Sequence, residues 1–109
     1  MHRMKFTTFI PTHLNDGAPV PESELDAIQM ELAIQFGGAT DEGIVKGMRF
    51  DESGTLYRDT CRKLFVKCDN NRVEEVQETV KSIGRKLGQK AMWIEFDFSD
   101  NAQVIDCES

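Results

Sequence analysis

Polar residues that can act together in catalysis lie in two separate segments of the chain. His13 and Asp16 follow a strand-like segment near the beginning, and Tyr57 and Arg58 follow a turn-like segment later on. An imidazole beside a carboxylate pairs a general base with the group that orients it, and a phenol or guanidinium can hold an anionic or carbonyl substrate. One hypothesis is therefore a small enzyme with His13 as its base and Asp16 as the orienting group. Tyr57 or Arg58 would bind the substrate.

The first of these segments also has an ordinary structural explanation. Asn and Asp side chains commonly accept hydrogen bonds from backbone N–H groups in turns, and Asn15-Asp16-Gly17 is typical turn sequence. Under this interpretation Asn15, together with Gln89, lies at a rim of the protein that binds a small ligand or a partner without catalysing a reaction.

The spacing of potential ligands predicts neither a metal nor a cofactor. His13 and Asp16 have no third ligand at a fixed distance along the chain. The three cysteines form an odd set without a CxxC pair, which is typical of reduced thiols in a cytoplasmic protein. The glycine-containing stretches lack the patterns that bind phosphates or dinucleotides. We therefore expect no metal and no cofactor.

The charge balance disfavours nucleic acid as a partner. The chain has a formal net charge of −6 and a pI near 4.8, whereas sequence-independent binding to nucleic acid depends on basic side chains. No apolar run is long enough to span a bilayer, so no membrane association is expected. An acidic phage-type inhibitor that mimics nucleic acid is a further hypothesis, and it requires most of one acidic set to line a single face: Glu22, Glu24, Asp26, Glu31, Asp41 and Glu42.

Two apolar stripes at helical spacing indicate the elements that position these residues. The first follows Pro21, and the second lies within residues 71–88. Strand-like segments occupy residues 5–10, 44–50, 55–68 and 91–98. The stripes consist of Leu25, Ile28, Leu32 and Phe36 in the first helix, and of Val73, Val76, Val80, Ile83 and Leu87 in the second.

This order of elements predicts a single α+β domain over residues 1–109. With right-handed crossovers, β-α-β-β-α-β gives a ferredoxin-like antiparallel sheet in the order 4-1-3-2, with both helices on one face. Residues 103–105 would add a short edge strand, and the third strand would carry a bulge near Asp59. Residues 12–20, 51–57 and 88–91 would meet at one rim, which would bring the proposed catalytic residues together.

Two large aromatic residues are expected on the sheet face away from the helices. The alternation of the third and fourth strands turns Phe65 and Trp93 outward, among Lys63, Lys67 and Glu95. These rings can stack nucleic-acid bases, form a symmetric homodimer with Lys–Glu pairs across its axis, or be covered by the C-terminal segment or another protein. We predict the homodimer, because the third strand lacks the glycines of base-stacking modules and the net charge is unfavourable.

Three short motifs point to a group of proteins. They are Pro11-Thr12-His13 with Asn15-Asp16-Gly17, then Phe36-Gly37-Gly38-Ala39-Thr40, and Gly88-Gln89 before a Trp-Ile-Glu strand. With these motifs the chain resembles small bacterial and phage proteins of unassigned function. The resemblance implies a ferredoxin-like fold and carries no activity. The sequence as a whole predicts a homo-oligomeric binding protein that recognises a protein or a small ligand.

Overall fold

The computed structural model describes residues 3–99 and 103–108. The chain forms the strand β1 (Arg3–Pro11), the helix α1 (Glu22–Phe36), the strands β2 (Thr40–Phe50) and β3 (Leu56–Asp69), a short 3₁₀ turn (Asn70–Arg72), the helix α2 (Val73–Lys86) and the strand β4 (Ile94–Asp97). The four strands form one antiparallel sheet in the order β2-β3-β1-β4. The structure therefore confirms the predicted ferredoxin-like α+β topology.

The core lies between the helices and one face of this sheet. From Met4 to Ile10 of β1 and from Arg62 to Cys68 of β3 every second side chain is buried, with Thr7 buried in addition, as expected where one face of a sheet is covered. Each large apolar side chain buried in this way contributes roughly 1.5–3 kcal/mol. The main buried residues are Met4, Phe6 and Ile10 of β1, Leu64, Val66 and Cys68 of β3, Leu25, Ile28, Leu32 and Phe36 of α1, and Val76, Val80 and Ile83 of α2.

The fourth strand is shorter than the predicted span of residues 91–98. Its alternation agrees with the prediction, since Met92, Ile94 and Phe96 pack against the core while Trp93 is exposed. Pairing with β1 begins only at Ile94, however. Met92 packs so closely on α2 that a Cβ at Gly84 would lie 2.6 Å from its Cγ. This contact holds the chain before Ile94 near the end of α2 and away from β1.

Two further details of the sheet differ from expectation. The irregular register lies in β2, between Asp41 and Ile44, whereas β3 pairs regularly through Asp59. The cause is local, because the Asp41 carboxylate accepts a hydrogen bond from the Gly43 N–H at 2.7 Å and Gly43 adopts a φ of 90°. Residues 103–105 form no strand, and the side chains of residues 104 and 105 are exposed.

The hairpin of β2 and β3 extends well past the end of β1. Pro11, the last residue of β1, pairs with Cys61, whereas β3 begins at Leu56. These five residues correspond to about 17 Å of two-stranded ribbon at the rise of a β-strand. We call residues 46–60 the arm. Residues 51–57, which were predicted to join the rim near His13, instead form the tip of the arm.

A buried arginine joins three elements at the base of the arm. Arg62 of β3 is only 8% exposed. Its guanidinium lies 2.9 Å from the Asp26 carboxylate of α1, 3.4 Å from Asp41 of β2 and 3.6 Å from Glu22 of α1. The sequence did not predict that Arg62 would be buried, because a basic residue in a strand is usually solvated. The guanidinium fixes the start of α1 over the sheet through charge-assisted hydrogen bonding.

We predict that Arg62→Met lowers the free energy of unfolding by about 2 kcal/mol, since the carboxylates lose their shared cation while the apolar stem is kept. Urea unfolding followed by circular dichroism measures the change. Arg58→Met is the matched control, because Arg58 lies on the same strand, is exposed and forms no ion pair with the described residues. Equal losses in the two variants would contradict the assigned role of Arg62.

A polar cluster joins the two helices on the side opposite to the arm. Glu75 of α2 accepts hydrogen bonds from Arg72 at 2.7 Å and from Gln35 of α1 at 2.9 Å. Arg72 also donates to the Gln35 carbonyl and lies 4.5 Å from the centre of the Phe36 ring. The hydrogen bonds from Arg72 and then from Gln35 lower the pKa of Glu75 to about 2.

This lowered pKa predicts how stability responds to acid. A carboxylate whose pKa is lower in the folded state stabilises the protein above its unfolded value of about 4.5, and this contribution is lost as the pH falls towards about 2. Glu75→Gln should therefore show a flatter decline of unfolding free energy over that range than the unmodified protein. Glu74→Gln, on the same turn but without an ion pair in the described structure, should retain the full decline. Identical pH profiles for all three proteins would refute this.

Candidate functional site: a groove on the outer face of the sheet

A groove of about 830 Å³ lies on the sheet face away from the helices. Phe9, Val45 and Cys61 of three adjacent strands line its floor, and residues 89–93 form one wall. Its volume falls within the range of about 300–1,000 Å³ that is typical of small-molecule sites. We call this cavity the outer-face groove.

The groove exists because the chain before β4 does not pair with β1. The last contact between β1 and this segment is at Thr8, whose hydroxyl donates a hydrogen bond to the Trp93 carbonyl at 2.8 Å. Beyond it, Met92 is held at Gly84 of α2, so residues 89–93 diverge from β1 and leave a wedge-shaped space. Trp93 stands at this wall with 62% of its surface exposed.

Two amide side chains are fixed relative to each other at the end of the groove. Asn15 donates to the Gly88 carbonyl at 3.1 Å, and Gln89 donates to the Asn15 side-chain oxygen at 3.2 Å. Gln89 also donates to the Leu87 carbonyl at 3.2 Å. Because backbone carbonyls can only accept, both amide orientations are determined by the network. The structure thus brings together the two residues that sequence analysis had placed at a common rim.

Gly47 leaves a position of β2 beside the groove without a side chain. Its backbone angles are not of the left-handed type, and a Cβ placed there would meet no atom within 4 Å. Neither turn geometry nor tight packing within the chain therefore requires glycine at this position. Glycine inside a strand costs stability and often marks the close approach of a ligand or another chain. Gly47 was not among the predicted site residues, although a lone glycine within a strand pattern can indicate a binding position.

Four charged residues line the groove, the basic Lys46, Arg49 and Lys90 and the acidic Asp59. Arg49 forms an ion pair with Asp59 at 3.1 Å, and its guanidinium lies 4.6 Å from the centre of the Tyr57 ring. Burial, and secondarily the negative charge of Asp59, raises the pKa of the Cys61 thiol. This thiol therefore stays protonated at neutral pH and contributes apolar surface to the floor.

The residues proposed for catalysis do not assemble into a base and its orienting carboxylate. The exposed His13 ring shares a hydrogen bond with the Thr12 hydroxyl at 2.9 Å, and the Asp16 carboxylate accepts the Ala18 N–H within its own turn. Tyr57 and Arg58 lie on the arm, where Arg58 pairs with Met48 across the hairpin. This geometry matches the turn interpretation of the segment and gives the enzyme hypothesis no support.

The residues predicted to form a dimer interface differ in their exposure and in their contacts within the chain. Phe65 is half-buried and lies under Lys5, whose ammonium is 4.3 Å from the ring centre. Lys63 forms an ion pair with Glu42 at 3.6 Å, and Lys67 is half-buried beside them on the same face. Glu95 is exposed on β4, as is Trp93 just before it. Of the two aromatic residues predicted for the interface, Phe65 is half-buried and Trp93 is 62% exposed.

The acidic residues proposed to mimic nucleic acid are mostly paired within the chain. Glu22, Asp26 and Asp41 share Arg62. Glu31 pairs with Lys86, and Glu42 pairs with Lys63. A face of unpaired negative charge at phosphate-like spacing is therefore not formed by this set.

Within residues 3–99 and 103–108, no cluster of three or more His, Cys, Asp or Glu side chains is arranged to hold a metal ion. The helices of this same part of the chain are too short or too polar to cross a bilayer.

The contact between Gly84 and Met92 leads to a prediction for the groove wall. Replacing a helical glycine with alanine normally stabilises a protein by about 1 kcal/mol, but here the new Cβ would clash with Met92. Gly84→Ala should therefore destabilise the protein with Met92 present and stabilise it in a Met92→Ala background. A double-mutant cycle from urea unfolding measures the coupling. The same effect of Gly84→Ala in both backgrounds would show that Met92 is not held there.

Comparison with known proteins identifies similar folds and no family. No family model and no curated protein matches the chain. A phage SAM lyase, solved in complex with S-methyl-5'-thioadenosine, superposes with a TM-score of 0.71 at 11% identity, covering 89% of this chain and 81% of that one. The divalent cation tolerance protein CutA1 from Thermus thermophilus gives 0.68 at 13% identity, covering 92% and 87%. CutA1 from Ehrlichia chaffeensis gives 0.64 at 15%, covering 94% and 85%. At these identities the likeness concerns the fold alone.

Proposed function

We propose that this protein is a small binding protein that associates with further copies of itself through the arm. The observation that carries the proposal is a stripe of four large, exposed apolar side chains on one face of the arm and its base, with Lys46 and Arg58 among them. Ile44, Met48 and Phe50 are 52%, 69% and 71% exposed, and Leu56 is 39% exposed. Several exposed large apolar side chains grouped on one face typically mark a contact with another molecule.

The stripe is uncovered because of the length of the arm. Ile44 pairs with Arg62, and Phe50 pairs with Leu56, so these side chains share the sheet face that the helices cover further along. Helix α1 covers the sheet as far as Arg62, to which it is joined by the ion pair with Asp26. Past this point the two-stranded ribbon has no helix above it. A two-stranded hairpin is marginally stable by itself, so a partner on this face would also stabilise the arm.

A second copy of the chain is the partner that this geometry favours. In a contact with twofold symmetry each apolar side chain is used twice, which doubles the buried surface without a second kind of molecule. Burying a large apolar side chain contributes roughly 1.5–3 kcal/mol, and several such side chains offset the loss of freedom on association. The outer face at Phe65 offers less apolar surface for burial in a contact, since Lys5 already covers that ring.

The similar folds do not decide the function. One is named as a lyase and two as divalent cation tolerance proteins, so this topology supports different activities. The surfaces of this chain itself therefore carry the proposal.

We expect Met48→Lys to lower the apparent molecular mass in multi-angle light scattering, because a charge at the centre of the stripe opposes its burial. Ile34→Lys is the matched control. Ile34 is 78% exposed on α1, so the same change there should leave the mass unaltered. Trp93→Ala tests the alternative interface on the outer face and should also leave the mass unaltered. A monomeric unmodified protein, or a Met48→Lys protein of unchanged mass, would refute the arm as the contact.

A further inference from the structure

We infer that the outer-face groove binds a planar heteroaromatic molecule that presents an N–H donor beside a ring-nitrogen acceptor. The inference concerns a different face from the arm stripe and does not depend on self-association. It rests on the space above Gly47, on the rings that line the groove, and on the unsatisfied atoms of the two fixed amides.

The space is of the right kind for a flat ligand. Gly47 has ordinary backbone angles and an unobstructed Cβ position, so a larger residue could occupy the site without strain. Such a residue would project into the groove, where Val45 and Cys61 form the floor beside it. The absence of a side chain at position 47 keeps the groove open at the cost of strand stability.

The groove offers aromatic and soft apolar surface for stacking. Trp93 and Phe9 line it together with Met92. The Trp93 ring is 62% exposed, although tryptophan is among the side chains that gain most from burial. A planar ring of a ligand would cover it, and stacked aromatic pairs are favourable beyond the area that they bury.

The amide pair supplies a polar edge with a defined pattern. Both N–H groups of Gln89 are used, one by Asn15 and one by the Leu87 carbonyl, whereas the Gln89 side-chain oxygen accepts no hydrogen bond from the described residues. Asn15 uses one N–H on the Gly88 carbonyl and keeps the other. A free acceptor and a free donor held side by side complement a ligand edge with a donor next to an acceptor.

Adenine is a suitable probe, because its amino group lies beside a ring nitrogen, and purine is the matched compound without that amino group. Trp93 is the single tryptophan of the chain, so quenching of its fluorescence reports binding at the groove. We expect saturable quenching by adenine. Purine should bind about tenfold more weakly, the loss expected for one hydrogen-bonding group left unpaired.

Gly47→Leu should fill the groove and weaken adenine binding by at least about tenfold. Gly38→Leu is the matched control, because Gly38 also lacks left-handed angles and close neighbours but lies outside the groove, and it should change binding less than about twofold. If circular dichroism shows that Gly47→Leu does not fold, Gln89→Met, which removes the free acceptor, should reduce adenine binding to the level of purine.

Three results would overturn the inference. They are the absence of saturable quenching by adenine, equal binding of adenine and purine, and unchanged adenine binding in whichever of the Gly47→Leu and Gln89→Met proteins folds. None of them depends on the mass of the protein in solution, so a failure here is distinct from a failure of the arm proposal.

Discussion

The points at which β1 stops pairing with its two neighbouring strands determine where both surfaces of this protein lie. β1 is flanked by β3 and β4, and its backbone pairing with β3 ends just past Pro11, where the Thr12 N–H donates to the Thr60 carbonyl. β3 and β2 extend past this point as a two-stranded ribbon, whereas β4 stops pairing earlier, at Ile94. One side of the sheet therefore becomes an arm without helices above it, and the other side opens into a groove. A sheet with strands of equal length would have neither feature.

Two contacts outside the core maintain this asymmetry. Arg62 gathers carboxylates from α1 and β2 and so fixes the position where helical cover ends. Met92 packs at Gly84 and keeps the wall of the groove away from β1. The first contact is electrostatic and the second is steric. Both contacts lie where the packed core meets a surface that is exposed in the single chain. The stability of the fold and the shape of the proposed binding sites therefore depend on the same contacts.

The proposed division of roles between the two surfaces follows from their chemistry. The arm stripe is narrow and largely apolar, with Arg58 opposite Met48 on the same face, while Arg49 is paired with Asp59 on the other face. Such a surface favours another protein chain. The outer-face groove is concave and combines rings with oriented amides, which favours a small molecule. The arrangement of His13 and Asp16 offers neither, since the His13 ring bonds to Thr12 and the Asp16 carboxylate accepts from Ala18, its own neighbours in the loop.

The secondary-structure elements and their order could be predicted from local patterns in the sequence. The stripe from Leu25 to Phe36 and the alternation around Ile94 follow from local periodicity, which the chain must satisfy to bury one face of each element. The antiparallel order β2-β3-β1-β4 then follows from chain connectivity and the handedness of crossovers. Asn15 and Gln89 could be assigned to a common rim for the same reason.

Which residues share a surface and which remain exposed depends on how distant segments of the chain pack together. Gly47, Phe9 and Trp93 come from different strands or loops, and the space among them depends on where pairing ends, which is a balance of distant contacts such as that of Met92 with Gly84. The burial of Arg62 likewise depends on carboxylates supplied by two other elements. Local sequence patterns carry no record of such contacts, because each forms only when segments far apart in the chain have packed together.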